Sequence, residues 1–334
     1  MKRFFVGIRK NYKLILIYII ILAVLLIELP YYIDAPGGLI NISERIEVDG
    51  GSTSEGSFNL TYVSEYRATI PMLVIAIFNP NWTIHKKGDN FLDTSNHREA
   101  VIRDRLWIRE SYSNAVILAF EMAGKNVEII SEELHIVHIF EDADTNLKVG
   151  DIILSINGTV IHNISMIHDI IRTLDVGDKL EILVENNNSN YTRYARIVNI
   201  KGSKLIGIMF ANIREFKTTP EINISFRRTE TGSSGGLILA LAIYNSITDV
   251  DITGGLTIVG TGTIDIYGNV GTVGGIENKL MVANRRNADI FFVPAGENYE
   301  EARKFATLMN YKIKIVPVST FEEAINYLMV NIVA

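Results

Sequence analysis

The chain has 334 residues, 48% of them hydrophobic and 21% charged, enough for two or three folded units with real cores and too apolar for a disordered chain. It has no cysteine, which removes disulfide frameworks, cysteine-ligated zinc and cysteine nucleophiles together. The net charge is −6, yet residues 1–13 hold five basic side chains and no acid, so the remainder carries −11, and an acidic body excludes nucleic acid as the main partner.

The basic cluster Lys2, Arg3, Arg9, Lys10 and Lys13 precedes an uninterrupted apolar run, "LILIYIIILAVLLI", at residues 14–27. With Tyr12 and "ELPYYI" the run approaches the ~20 residues that cross a bilayer. The pattern predicts a cytoplasmic tail over 1–13 and a transmembrane anchor over 14–33, with Tyr31 and Tyr32 at headgroup level. It predicts a single-pass protein of the cell membrane, anchored in the lipid bilayer through this helix, with an extracellular body. A cleaved signal peptide is the competing reading, since a 14-residue apolar core suits it, but the local site "IDA" offers Ile33 and Ala35 rather than two small residues.

Residues 34–124 form a strand and helix base region. "PGGLINISERIEVDGGSTSEGSFNLTYVS" alternates with turn residues, as strands do, and "NPNWTIHKKGDN" reads as loop. "REAVIRDRLWIRESYSNAVILAFEMA" spaces its apolar residues by three and four, predicting one amphipathic helix or two before Gly124. No chemistry is visible there.

Residues 125–202 change character. "LHIVHIF" reads as a strand, and "LKVGDIILSINGTVI" as a strand between tight turns at Gly150-Asp151 and Asn157-Gly158. "MIHDIIRTL" reads as a short helix and "DKLEILVENN" as another strand. The stretch resembles a PDZ domain over about 75 residues. That resemblance implies a peptide docked along a sheet edge near "SEELHIVHIF", with its carboxylate in a loop of backbone N–H groups. Glu132, Glu133 and Leu134 stand where the family has its glycine, and two acids there repel a carboxylate.

From residue 203 to 334 strands and helices alternate, predicting an α/β layered domain. It contains "TETGSSGGLILALAIYN" at 229–245, with two serines among glycines before an apolar helix. A trypsin-like reading needs a histidine base, but His85, His97, His135, His138, His162 and His168 all precede this third. A different base is present in "TGTIDIYGNVGTVGGIENKLMVA", where Lys279 lies among Ile276, Leu280, Met281 and Ala283 near a helix start. Burial lowers a lysine's pKa, because only the ammonium form loses hydration, and a neutral amine can take a serine proton.

These two segments together resemble the peptidase domain of Lon-type serine/lysine proteases. Aligned on the glycines, the family's G-P-S-A-G matches "GSSGG", which implies Ser234 as nucleophile. Its G-G-[IL]-x-x-K matches "GGIENK", which implies Lys279 as base. Its T-G-x-I matches Thr261, the supporting hydroxyl that holds the lysine. Ser233 replaces the family's proline and Gly235 its alanine, and both changes loosen the backbone. Backbone N–H groups at Gly232, Ser233 and Gly235 would bind the oxyanion.

The whole order resembles the PDZ-containing, membrane-anchored Lon-like proteases of Gram-positive bacteria. The fold class expected is multidomain α+β: an N-terminal transmembrane helix, a strand-rich base, a PDZ domain and a C-terminal α/β Lon-type peptidase domain. The function implied is an ATP-independent serine endopeptidase that cleaves exported peptides or small membrane proteins at the outer face of the membrane. The alternative is an inactive PDZ adaptor that captures exported peptides. No G-x-x-x-x-G-K-[ST] occurs, so no nucleotide partner is expected. No H-E-x-x-H occurs and the histidines are scattered, so no metal or other cofactor is expected.

Overall fold

The computed structural model describes residues 2–52, 54–86, 96–227 and 232–333. Thr229, Glu230 and Thr231 ahead of the serines, and the end of the expected loop at 87–90, lie outside the described residues. The chain forms two compact units, one of residues 1–38 and 62–93, the other of residues 39–61 and 94–334.

The chain opens with α1 (Lys2–Leu25), whose helical geometry breaks at Asn11 (φ −113°, ψ 15°). Then come β1 (Glu28–Asn41), β2 (Ile46–Val48), β3 (Ser57–Thr69), α2 (Ile70–Ile77) and β4 (Thr83–Lys86). In the first unit, Tyr31–Asp34 of β1 pair antiparallel with β4. Ile33, Ala68 and Ala76 form its buried core, with Met72, Leu73 and Trp82 packed against them. Residues 83–86, expected in a loop, form a strand because this four-residue segment pairs with the margin of β1.

The expected transmembrane helix is corrected here. Among the described residues no helix is long and apolar enough to cross a membrane. The reason is where the apolar run changes conformation. After the break at Asn11, α1 continues only to Leu25, about 14 residues or roughly 21 Å against the ~30 Å of a hydrocarbon core. From Glu28 onward the chain, with Pro30 in it, is β-strand. Residues 14–33 are therefore part helix and part strand, and the single-pass membrane placement falls with the anchor.

In the second unit, α3 (His97–Met122) starts at an Asn96 cap that accepts the Arg98 N–H at 3.1 Å. Next follow β5 (Asn126–Ile139), β6 (Ile152–Ile156), β7 (Thr159–Val160), α4 (Ile164–Arg172), β8 (Lys179–Asn186), β9 (Ser189–Arg196), β10 (Val198–Ile200), β11 (Ser203–Leu205) and β12 (Ile208–Thr219). A sheet runs in the order β12-β5-β6-β8-β9, with β7 beside β6. Its tight turns are chemically specified: Asn157-Gly158 and Asn187-Asn188 all take positive φ, which two-residue hairpins of matching twist require. Leu180, Ile182 and Val184 of β8 alternate inward and join Ile153, Ile156, Ile167 and Ile171 in one core.

The rest of the chain holds β13 (Ile222–Ile224), α5 (Gly236–Ile247), β14 (Thr257–Gly260), β15 (Thr263–Ile264), β16 (Val270–Gly271), α6 (Ile276–Arg285), β17 (Ile290–Pro294), α7 (Glu297–Leu308), β18 (Lys314–Val318) and α8 (Phe321–Leu328). Strands β18, β17 and β14 pair in parallel, and β14 pairs in parallel with Ser57–Leu60 of β3. Such a sheet is covered by helices on its faces. Helix α5 is apolar almost all round and buried accordingly, with α3 residues Ala115, Val116 and Ala119 in the same core. A second cluster, Val259, Ile276, Leu280, Ala283, Phe291 and Val293, packs α6 against β14 and β17.

Candidate active site

Ser233 and Ser234 lie in the turn that enters α5, both half-buried. The turn is held from three sides. The Gly232 N–H donates to the Asp104 carbonyl of α3 (3.3 Å), with Gly232 at φ +89°. The Ser111 hydroxyl, also on α3, donates to the Ser233 carbonyl (3.4 Å). The Ser234 carbonyl accepts from the Gly262 N–H (2.8 Å) and from the Thr261 hydroxyl (3.0 Å). Close approach explains the glycines. A Cβ on Gly236 would meet Ile264 and the Ser111 hydroxyl at 2.8 Å, and one on Gly235 would meet Leu60 at 2.9 Å.

Thr261 follows β14 and is wholly buried, its N–H donating to the Phe292 carbonyl of β17 (3.0 Å). Its hydroxyl is the junction of the site. It accepts from Lys279 Nζ at 3.0 Å while it donates to the Ser234 carbonyl. Lys279 lies in the first turn of α6, whose start is set by Gly275 in the left-handed region (φ 70°, ψ 33°). Only 4% of Lys279 is exposed, and it makes no ion pair among the described residues. Burial drives its pKa down to about 8, against a weaker upward pull from the Glu301 carboxylate. Around neutral pH an appreciable fraction of this amine is therefore uncharged, unlike a surface lysine.

The Ser234 hydroxyl has no hydrogen-bond partner among the described residues. Of the three backbone N–H groups expected for an oxyanion, that of Gly232 is turned to Asp104. Sequence reasoning did not single out Asp104, Ser111 or Thr61. Thr61 is fully buried, its hydroxyl has no partner among the described residues, and it stands one step beyond the Leu60–Gly260 pair, alongside Thr261. Its only sequence signal is a threonine in an otherwise ordinary strand.

The two acids expected near a carboxylate pocket are both paired. Glu132 bonds Arg214 (2.9 Å), and Glu133 bonds His135 (2.8 Å). One edge of β5 is taken by β12 along its whole length, from Asn126 to Ile139.

Residues 225–331 match the Lon protease (S16) C-terminal proteolytic domain. The chain is similar to the Lon protease of Aster yellows witches'-broom phytoplasma, 31% identical over 99 residues, and to Lon protease 2 of Borreliella burgdorferi, 30% identical over 117 residues. These matches cover 30% and 34% of this chain but only 12% and 14% of those relatives. A solved PDZ domain of the SdrC-like protein from Listeria monocytogenes is 26% identical, with 23% of this chain and 85% of that chain covered and a TM-score of 0.22. The C-terminal third is thus similar to the proteolytic part of Lon serine proteases, and Ser234, Thr261 and Lys279 all fall within the matched residues.

Proposed function

We propose that the chain is a serine endopeptidase that needs no nucleotide, with Ser234 as nucleophile, Lys279 as general base and Thr261 holding the lysine. Residues 203–334 then form the peptidase domain and residues 125–202 a PDZ-like unit joined to it through α3. The observation that carries the reading is the buried Lys279 amine, with no ion pair among the described residues, hydrogen-bonded to a threonine that is itself bonded to the serine backbone.

The chemistry follows from these groups. Ser234 Oγ attacks the peptide carbonyl carbon as its proton passes to the neutral Lys279 amine. The oxyanion is met by the N–H groups of Ser233 and Gly235 at the positive end of α5. The Lys279 ammonium returns its proton to the leaving amine, and water then releases the acyl group from Ser234. With no phosphate-binding loop in this sequence to drive unfolding, the substrates are short or unfolded peptide segments.

The test is cleavage of an unfolded protein or fluorogenic peptide, without ATP, by the wild-type chain, Ser234→Ala and Lys279→Gln. Cleavage by the wild type alone supports the proposal. Equal cleavage by all three rejects the dyad. Binding without cleavage by the wild type supports an adaptor instead.

A further inference from the structure

A second constellation lies in the first unit, on residues that the proposed peptidase site does not use. Asp34 of β1, Glu65 of β3 and His85 of β4 each present one donor atom, and the three atoms lie within 4.8 Å of one another. The strand register explains the meeting. β1 runs between β3 and β4, and His85 stands opposite Tyr32, so Asp34, two residues on, shares its face. Ile33, the intervening residue, points into the core of the unit and anchors the strand from behind. The imidazole stacks on Tyr32, with ring centroids 5.7 Å apart and planes at 21°, which fixes its orientation.

The spacing suits an ion better than direct hydrogen bonds. His85 Nδ1 is 3.7 Å from Asp34 Oδ2, and His85 Nε2 is 3.9 Å from Glu65 Oε2. Both exceed the roughly 2.7–3.2 Å of an N–H···O bond. A metal with bonds of about 2.0–2.2 Å to nitrogen and carboxylate oxygen needs its donors about 3–4 Å apart. Only one ring nitrogen can bind a given ion: with Nδ1 as the donor, Asp34 is already in range, and Glu65, which lies nearer Nε2, has to swing round to the same side, its side chain being 57% exposed against 27% for Asp34 and 25% for His85. One imidazole and two carboxylates form a mixed N/O set, which favours zinc or another first-row divalent ion over calcium or magnesium.

We propose that Asp34, Glu65 and His85 bind a divalent transition-metal ion, zinc by preference, that ties β1, β3 and β4 together. The ion bonds to side chains from three strands, so its effect is on the stability of this unit. It is independent of the peptidase reading.

The test uses the full chain stripped with a chelator and titrated with ZnCl2 by calorimetry, with CoCl2 absorption as a second readout. One equivalent should bind and raise the thermal midpoint. Asp34→Asn and His85→Gln should each weaken binding at least tenfold, with midpoints in chelator equal to that of the wild type. Glu65→Gln, at the most exposed position, should weaken it too and serves if either of the others fails to fold. Ser234→Ala should bind zinc like the wild type. Absence of saturable binding, or equal affinity in all three ligand variants, overturns the proposal.

Discussion

Lys279 carries a charge state that its surroundings oppose, and this has a cost measurable apart from activity. Its folded pKa is lowered to about 8 by burial, below the ordinary lysine value. The unfolded chain therefore binds the extra proton more tightly. Below about pH 8 both states are protonated and the penalty is complete, about 3 kcal/mol for a shift of this size. As pH rises from about 8 to about 10.4 the folded state sheds the proton first, and stability recovers. Lys279→Met should accordingly raise the unfolding free energy at neutral pH. Its denaturation midpoint should also lack the wild type's rise across that alkaline window, as urea titrations at several pH values would show.

Thr261 makes the second prediction at this scale. Thr261→Val keeps the shape but removes the acceptor for the amine and the donor to Ser234. A buried donor left unpaired costs about 1–3 kcal/mol, and each 1.4 kcal/mol lost from the transition state is about tenfold in rate. Peptidase kcat should fall by about tenfold or more, with Thr261→Ser retaining most of it, as steady-state kinetics on one peptide would show.

At the level of elements, the start of α5 is wedged between α3 and β15. A methyl on Gly236 would press on Ile264, backbone nitrogen included at 2.9 Å, and on Ser111, so the helix start must move. Overpacking of this kind costs about 1–3 kcal/mol. Gly236→Ala should lower the melting midpoint and lower kcat more than it raises KM, since it displaces Ser234 rather than a binding surface.

Helix α3 also ties the β12-β5 sheet to the same region. Glu110 accepts the Asn212 N–H (2.8 Å), Arg214 donates to Asn114 (2.9 Å), and Asn114 donates to the Ile264 carbonyl (3.1 Å). Burial raises the Glu110 pKa above the usual carboxylate range, against the pull of the Asn212 hydrogen bond and of Arg214. Glu110→Ala should orphan the Asn212 N–H and cost about 1–3 kcal/mol, while Glu110→Gln, which keeps the acceptor, should cost less. Chemical denaturation of the three proteins would check it.

At the scale of the molecule, what could be read from sequence was what is local. Helices α3, α4, α5 and α6 show themselves by apolar spacing, and the turn at Asn157-Gly158 by its residues. The segments "GSSGG" and "GGIENK" stand out because their glycines, serine and lysine have so few other reasons to recur in that register. Pairings across about 200 residues, such as Ser57–Leu60 with Thr257–Gly260, leave no local mark. Nor do the contacts of Asp104 and Ser111 with the serine turn, or the meeting of Asp34, Glu65 and His85. The apolar run at 14–27 misled for a physical reason: hydropathy records burial preference but not where a helix stops. Here it stops at Leu25, and a strand containing Pro30 follows.

The central claim, a serine activated by a buried neutral lysine, is tested most directly by kcat/KM for peptide cleavage from about pH 6 to about 10. The free enzyme should show one rising limb, with a midpoint near 8, set by loss of the Lys279 proton. Activity that persists in Lys279→Gln with the same limb, or a wild-type profile flat across that range, would contradict the account.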